Sequence, residues 1–485
     1  MPHRHVLQRI FSFSMSAVLA GSSFACGSSG EPLDHDALTQ REAALIPSDP
    51  LFSSQSWHYN AIHAPAAWNR TTGDVGVSIA VLDSGRLAHP DLNAKWTEGY
   101  DFFAGDSDPT DEGVYHHGIH VAGTIGASAN NGVGGAGLCW NCRLLPIRVA
   151  QEGGSWGAGS PGAYEPLSTI LARGIRYSAG YLVDNGLFSY VQAPFRASAI
   201  NISMGNVAGP CPADLQAAVN DANAAGTPVV VAAGNWEQSG ALNTTAFSAF
   251  MWSGCKNVIS VAAVDENGNL EPYSARGKAI TIAAPGGATA SGTVYPFSGY
   301  GELIGCTDPN ETRGVGTHGV VSSWTTSQGA HCYRHWAGTS MAAPHVSGVI
   351  GLMLSRNPSL TPLQIRNILQ KTATPTSCTD NGCGAGLLNA DGAVAAATFD
   401  VSIACESASG SFVCYASPDG GIGPFSATWT GITRANIAPS HVNNPDYTSG
   451  TCTPNNTSTV QLSFTDALGR NVVRSKQFYC NLVTP

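Results

Sequence analysis

The chain has 485 residues, 43% of them hydrophobic and only 12% charged, with a net charge of −10 at pH 7. That is enough apolar material for a large core and, as a soft prior, about two or three domains. The charge balance leaves no basic footprint and argues against nucleic acid as a partner, while 56 glycines and 28 prolines point to many turns.

The N-terminus reads as an export signal. MPHRHVLQR is basic, IFSFSMSAVLAG is a short apolar run and GSSFAC offers small residues for cleavage. The run is too short to stay in a bilayer as a spanning helix, and no later stretch is long and apolar enough to span. Thirteen cysteines suit six disulfides plus one special cysteine in an exported chain. Cys26 is the special candidate, as a lipidated N-terminal residue attached to an outer membrane or cell surface. Ser23 stands where a lipoprotein signal prefers leucine, so ordinary cleavage beside Cys26 is the alternative. Cys139/Cys142, Cys211/Cys255, Cys306/Cys332 and Cys378/Cys383 lie as local pairs along the sequence, with Cys405, Cys414, Cys452 and Cys480 following late, and spacing alone does not fix which bonds form. CWNC (139–142) has no second close pair of matching spacing, which favours a structural disulfide over zinc or redox work.

Residues 27–50 read as a linker or short pro-segment with one helical patch. From 77 to 372, β-type and helical patterns alternate. VSIAVLD (77–83), LLPIRV (144–149), AINISM (199–204) and PVVVAAGN (228–235) are apolar runs bounded by turn residues. PADLQAAVNDANAAG (212–226) predicts a helix with Pro212 at its first position, Leu215, Val219 and Ala222 on one face, and Gly226 as its stop. TPLQIRNILQ (361–370) pairs Thr361 with Gln364 as a capping box over an Ile365, Ile368, Leu369 stripe. The fold class expected is α/β, a mainly parallel sheet with helices on both faces. After about residue 398 short alternating runs (SFVCYAS, FSATWTG, STVQLSF) predict a small all-β sandwich. The domains expected are therefore 1–26 signal, 27–50 linker, 51–398 catalytic and 399–485 sandwich.

Chemistry in an open α/β sheet gathers at the carboxyl ends of strands. Asp83 ends one buried run, Asn235 ends another, His117 opens a helix, and Ser340 sits where AGTSMAAPHVSG (337–348) turns into one. A hydroxyl, an imidazole, a carboxylate and an amide are the set acyl transfer needs. Alone, Ser340 would read as a helix N-cap.

AVLDSG (80–85), HGIHVAGT (117–124), AAGN (232–235), SMG (203–205), GTSMAAPHVSG (338–348) and GAGLLNADGAV (384–394) resemble the motifs of the subtilisin-like serine proteases (subtilases), in the order Asp, His, Ser. The resemblance covers about residues 50–398 and implies a fold, a subtilisin-like α/β domain, and an activity, serine endopeptidase cleavage of protein or peptide substrates. It implies Ser340 as nucleophile, His117 rather than His116 or His120 as base, Asp83 as its orienter, and Asn235 with the Ser340 N–H as oxyanion donors. Ser203, Met204 and Gly205 would pair with substrate as an added strand. Asp91 in HPDL and Asn131 in ANNGVGG match positions that bind calcium in many members, although Asn-Gly is also a turn signal.

Ile119 replaces the family's usual threonine. The short segment after Cys26 is smaller than the prodomain many secreted members carry, so that segment, the disulfides and C-terminal domain, or another protein would assist folding. The C-terminal runs resemble immunoglobulin-like modules of the PKD type, which serve either as binding modules or as spacers. A monomer is expected. Loops 151–166 and 235–247 would set specificity. A binding protein on a degenerate protease fold and a peptide ligase are the rival readings, the first opposed by the full set of four polar residues.

Overall fold

The apolar runs become strands whose two faces are both buried. The computed structural model describes residues 44–482, apart from 114–115, 151–165, 188, 205–209, 236–253, 289–299, 308–317 and 379–381. Its central sheet is built from β1 (Ser78–Asp83), β2 (Tyr100–Asp101), β3 (Arg143–Arg148), β6 (Ala199–Ile202), β7 (Val229–Ala232), β8 (Ile259–Val264) and β9 (Ile282–Pro285). The order is β2-β3-β1-β6-β7-β8-β9, with every pairing parallel. Between β3 and β6 lies a small hairpin, β4 (Val183–Asp184) with β5 (Tyr190–Val191).

Side-chain alternation divides the core. Ala80 and Leu82 of β1, with Ile200 and Ile202 of β6, pack beside α4 (Leu167–Ser178) and α5 (Ala213–Ala224). Ile79 and Val81 point the other way, towards α3 (His117–Gly126) and α6 (Thr339–Arg356). Two covered faces explain why these strands read as continuous apolar runs instead of alternating ones. α5 forms where its pattern predicts, with Leu215, Val219 and Ala222 buried. Pro212, however, is its N-cap and not its first helical residue, because its ψ of 144° is still extended. α7 (Pro362–Thr372) carries the expected capping box and buries Ile365, Ile368 and Leu369. α8 (Ala390–Ala397) is capped by Asn389, whose Oδ1 accepts from the Gly392 N–H.

Three helices escaped the sequence reading, α1 (Phe52–Ala61), α2 (Ala64–Arg70) and α4 (Leu167–Ser178). α1 buries Phe52, Gln55, His58 and Tyr59, so two of its four inward residues are polar and hide the apolar stripe. Gln55 bonds to both backbone groups of Ala136 and to the Val321 carbonyl. His345 of α6 donates Nδ1–H to the Met341 carbonyl at 2.8 Å, which leaves its Nε2 to accept from His58 Nδ1 at 2.9 Å. The first helix is thus bonded to the helix that carries Ser340.

A three-stranded antiparallel sheet, β10 (Tyr300–Ile304), β11 (Val320–Thr325) and β12 (His331–Trp336), leads into α6. The C-terminal residues form two antiparallel sheets. One holds β13 (Phe399–Ala408), β14 (Ser411–Gly420), β16 (Ala435–Ile437) and β17 (Tyr447–Cys452); the other holds β15 (Ser426–Thr433), β18 (Asn456–Thr465) and β19 (Asn471–Cys480). Val401, Phe412, Trp429, Leu462 and Phe464 fill the space between them. Arg470 is paired to Asp466 at 2.7 Å, lies over the Phe399 ring, and reaches the Ala397 carbonyl at the end of α8. Six disulfides join Cys139–Cys142, Cys211–Cys255, Cys306–Cys332, Cys378–Cys383, Cys405–Cys414 and Cys452–Cys480.

Candidate active site

Asp83 is the last residue of β1 and is fully buried. His117 is the first residue of α3, and its Nδ1 lies 2.8 Å from Asp83 Oδ1. A carboxylate accepts, so Nδ1 carries the proton and Nε2 presents a lone pair. The same Oδ1 accepts from the Ser84 N–H at 2.8 Å. Gly118 permits this approach, since a Cβ there would sit 2.5 Å from the Gly85 carbonyl oxygen and 3.3 Å from the Asp83 Cβ. Ser84 Oγ accepts from the Gly118 N–H and donates to Asp111 Oδ2 at 2.7 Å, fixing the start of α3 from a second side. The Trp336 ring stands edge-on to the imidazole at 5.0 Å.

The neighbouring histidines have other work. His120 is fully buried and its Nε2 faces the Val320 and Arg334 carbonyls, so it is held as the neutral Nε2–H form. Burial pushes it down to about 3. His116 is the N-cap of α3 in the left-handed region, with Nδ1 3.5 Å from Asp111 Oδ2.

Ser340 is the second residue of α6, just inside the Gly338 N-cap. At that place the helix presents unpaired N–H groups and the positive end of its dipole. Asn235 lies just beyond β7 and is exposed. Its Oδ1 accepts from both the N–H and the hydroxyl of Thr339, each at 2.9 Å, and the Thr339 hydroxyl accepts in turn from the Gly234 N–H. With the oxygen so committed, the carboxamide orientation is fixed and Nδ2 is the group left to donate. A Cβ on Gly338 would stand 3.2 Å from that nitrogen, so a side chain there would crowd it. Thr339 was not singled out from the sequence, although it directly precedes Ser340.

Ser203 follows β6, is fully buried, and donates Oγ–H to the Ser340 carbonyl at 2.8 Å. Its side chain is therefore turned towards α6, leaving only main chain for a substrate. Met204 is buried in the core on the α4 and α5 side of the sheet, and Gly205 lies outside the described residues, as do Cys26 and nearly all of the two specificity loops. Ile119 is buried among the apolar side chains under α3.

Asp91 and Asn131 come together, but as hydrogen-bond partners. Asn131 Nδ2 donates to Asp91 Oδ1 at 2.8 Å, and the Tyr333 hydroxyl donates to Oδ2 at 2.8 Å. Asn131 Oδ1 accepts from the Val133 N–H, so the amide cannot turn its oxygen inward without breaking that bond. Both carboxylate oxygens of Asp91 therefore face N–H or O–H groups. Among the described residues no cluster of three or more His, Cys, Asp or Glu side chains is placed to hold a metal. None of the described helices is long and apolar enough to cross a membrane.

The family model of the subtilases matches residues 74–393. An extracellular protease of Xanthomonas campestris pv. campestris is 34% identical over 390 residues, covering 73% of this chain and 58% of that protein. The extracellular basic protease of Dichelobacter nodosus is 32% identical, with 59% of its length covered, so the chain spans about three fifths of these two relatives. Thermitase of Thermoactinomyces vulgaris is 34% identical over 72% of this chain and 99% of its own. Among solved structures, a protease from Pseudoalteromonas arctica PAMC 21717 superposes with a TM-score of 0.59 at 33% identity, covering 73% of this chain and all of that one. With its ordered blocks, its parallel sheet and a matching model over most of its length, the chain belongs to the subtilase family.

Proposed function

We propose that the protein is an exported serine endopeptidase acting on protein or peptide substrates through an acyl-enzyme. The observation that carries this reading is the 2.8 Å contact of Asp83 Oδ1 with His117 Nδ1, which leaves Nε2 basic. His117 Nε2 takes the Ser340 Oγ proton as Oγ attacks the scissile carbonyl carbon. Asn235 Nδ2 and the Ser340 N–H stabilise the resulting oxyanion, a term worth about 10²–10³ in turnover for one such donor. Collapse breaks the C–N bond, and the proton passes from His117 to the departing amine. Water, deprotonated by the same imidazole, then releases the acyl group. Asp83 keeps its charge throughout and holds the tautomer. The main chain of Ser203, Met204 and Gly205 aligns the substrate as an extra strand.

Export rests on the basic and apolar start of the chain and on six disulfides, which persist in oxidising compartments. Cys26 is the proposed point of lipid attachment at the cell envelope, and the β-sandwich a separate 399–485 domain of a monomeric enzyme. Asp91 and Asn131 enter this reading as a hydrogen-bonded loop anchor, and any calcium the protein takes has a stabilising and not a chemical part.

The test is labelling of the purified exported protein with a fluorophosphonate probe, compared with Ser340→Ala. Stoichiometric labelling of the wild type, lost in the variant, is expected. A folded wild type that stays unlabelled would sink the protease reading.

A further inference from the structure

The helix that carries Ser340 contains a proline in its second turn, where the hydrogen-bond ladder needs an N–H. In an α-helix the carbonyl of residue 340 accepts from the N–H of residue 344. Residue 344 is proline, which has no N–H and whose ring presses on the carbonyl four residues earlier. That carbonyl belongs to Ser340. It is nevertheless bonded, because Ser203 Oγ donates to it at 2.8 Å from the neighbouring strand end.

The bond does not stand alone. Asn201 Nδ2 donates to Ser203 Oγ at 2.9 Å, and Asn201 Oδ1 accepts from Ser347 Oγ at 2.8 Å. All three side chains are fully buried. Asn201 and Ser203 are two apart, so they share one face of an extended chain, while Ile200 and Ile202 fill the core on the other side. Ser340 and Ser347 are seven apart, two turns along one face of α6. The strand therefore grips the helix at two points through one connected set of hydrogen bonds. A buried asparagine in the middle of a parallel sheet is costly unless its amide is bonded on both sides, as it is here.

We propose that Ser347, Asn201 and Ser203 are positioning residues for Ser340, the Ser203 hydroxyl supplying the hydrogen bond that Pro344 withholds. The inference rests on the reading of Ser340 as nucleophile. The tilt of the first turn of α6, and with it the aim of Ser340 Oγ, is set by the sheet instead of by the helix's own ladder.

The experiment compares wild type, Ser203→Ala, Pro344→Ala and the double variant on a chromogenic peptide anilide and in the rate of fluorophosphonate labelling. Ser203→Ala should lower kcat and the labelling rate about tenfold, as expected for a displaced reacting atom. KM should stay within about twofold, because the substrate contact at 203 is main chain. Pro344→Ala restores an N–H facing the Ser340 carbonyl, so the double variant should recover most of the lost kcat, which mere core damage would not do. An unchanged kcat with only a lowered melting temperature overturns the proposal, and so does a double variant no faster than Ser203→Ala. Should Ser203→Ala fail to accumulate, Ser347→Ala carries the test, with a kcat loss at constant KM expected and an unaltered kcat overturning it. A wild type that neither cleaves nor labels defeats the nucleophile reading instead. The hydrogen bond itself is then read from urea midpoints, where compensation between Ser203→Ala and Pro344→Ala supports it and strict additivity overturns it.

Discussion

Lowering the pH from 7 to 5 should destabilise this protein above the range in which ordinary carboxylates titrate. Four buried histidines are the cause. Burial pushes His345 and His89 down to about 4 and His120 to about 3, and it holds His58 well below the ordinary range, with His345 beside it adding to the effect. In the unfolded chain each takes a proton near pH 6.5, while in the fold His345, His89 and His120 are still neutral at pH 5 and burial disfavours the proton on His58. Between those limits the unfolded state binds more protons, so stability falls as pH falls, by about 1.4 kcal/mol per unit for each histidine. At pH 5 that is about 2 kcal/mol apiece for His345, His89 and His120. Two buried carboxyls oppose it, Asp101 pushed up to about 6 and Glu271 to about 7, each mainly by burial; these gain stability over the same interval. The three histidines outweigh the two carboxyls by about 2–3 kcal/mol, to which His58 adds, a large part of the stability of many domains. The assay is urea unfolding followed by tryptophan fluorescence at pH 7, 6 and 5, on Ser340→Ala so that self-digestion plays no part. His58→Phe, which removes one titrating ring, should lessen the fall in stability between pH 7 and 5 whatever it does to stability at pH 7. A urea midpoint that stays level or rises between pH 7 and 5 would refute the reasoning.

Two further outcomes follow from the site. Asp83→Asn should lower kcat at neutral pH by about 10⁴ with little change in KM, since an amide facing His117 Nδ1 favours the wrong tautomer; hydrolysis of a peptide anilide measures it, and a loss below about tenfold would contradict the assigned role. Tyr333→Phe removes one of the two side-chain donors to Asp91 and should cost about 1–2 kcal/mol of stability whether calcium or a chelator is present. Melting curves check it, and full rescue by calcium would make Asp91 and Asn131 ligands after all.

What could be read from the sequence was whatever depended on local pattern. β1, β3, β6 and β7 arise from apolar runs, α5 from a face of Leu215, Val219 and Ala222, and α7 from a capping box, all of which are short-range signals. Asp83, His117, Asn235 and Ser340 were singled out because each sits in a compact block. Apart from α4, what escaped was long-range and polar. α1 was hidden by Gln55 and His58, whose partners are 81 to 287 residues away. Tyr333 reaches Asp91 across 242 positions, and no periodicity announces such a bond. The Ser203 side chain was assigned only to the substrate strand, yet it bonds to Ser340. Here a signal did exist, since proline four residues after a helical serine always leaves that serine's carbonyl in need of a partner.

The cysteine pairing bears on how the chain could mature. Each of the six bonds joins a cysteine to the next one along the sequence, the partners lying 3, 44, 26, 5, 9 and 28 positions apart. No loop encloses another, so an oxidant meeting the chain as it emerges N-terminus first can close each bond in turn, without later shuffling. Such vectorial oxidation has one requirement. Cys26 emerges before Cys139, and a reactive thiol there would take the first partner and move every later pairing out of step. Acylation or removal of Cys26 would then do more than set the protein's location; it would keep the oxidation in register.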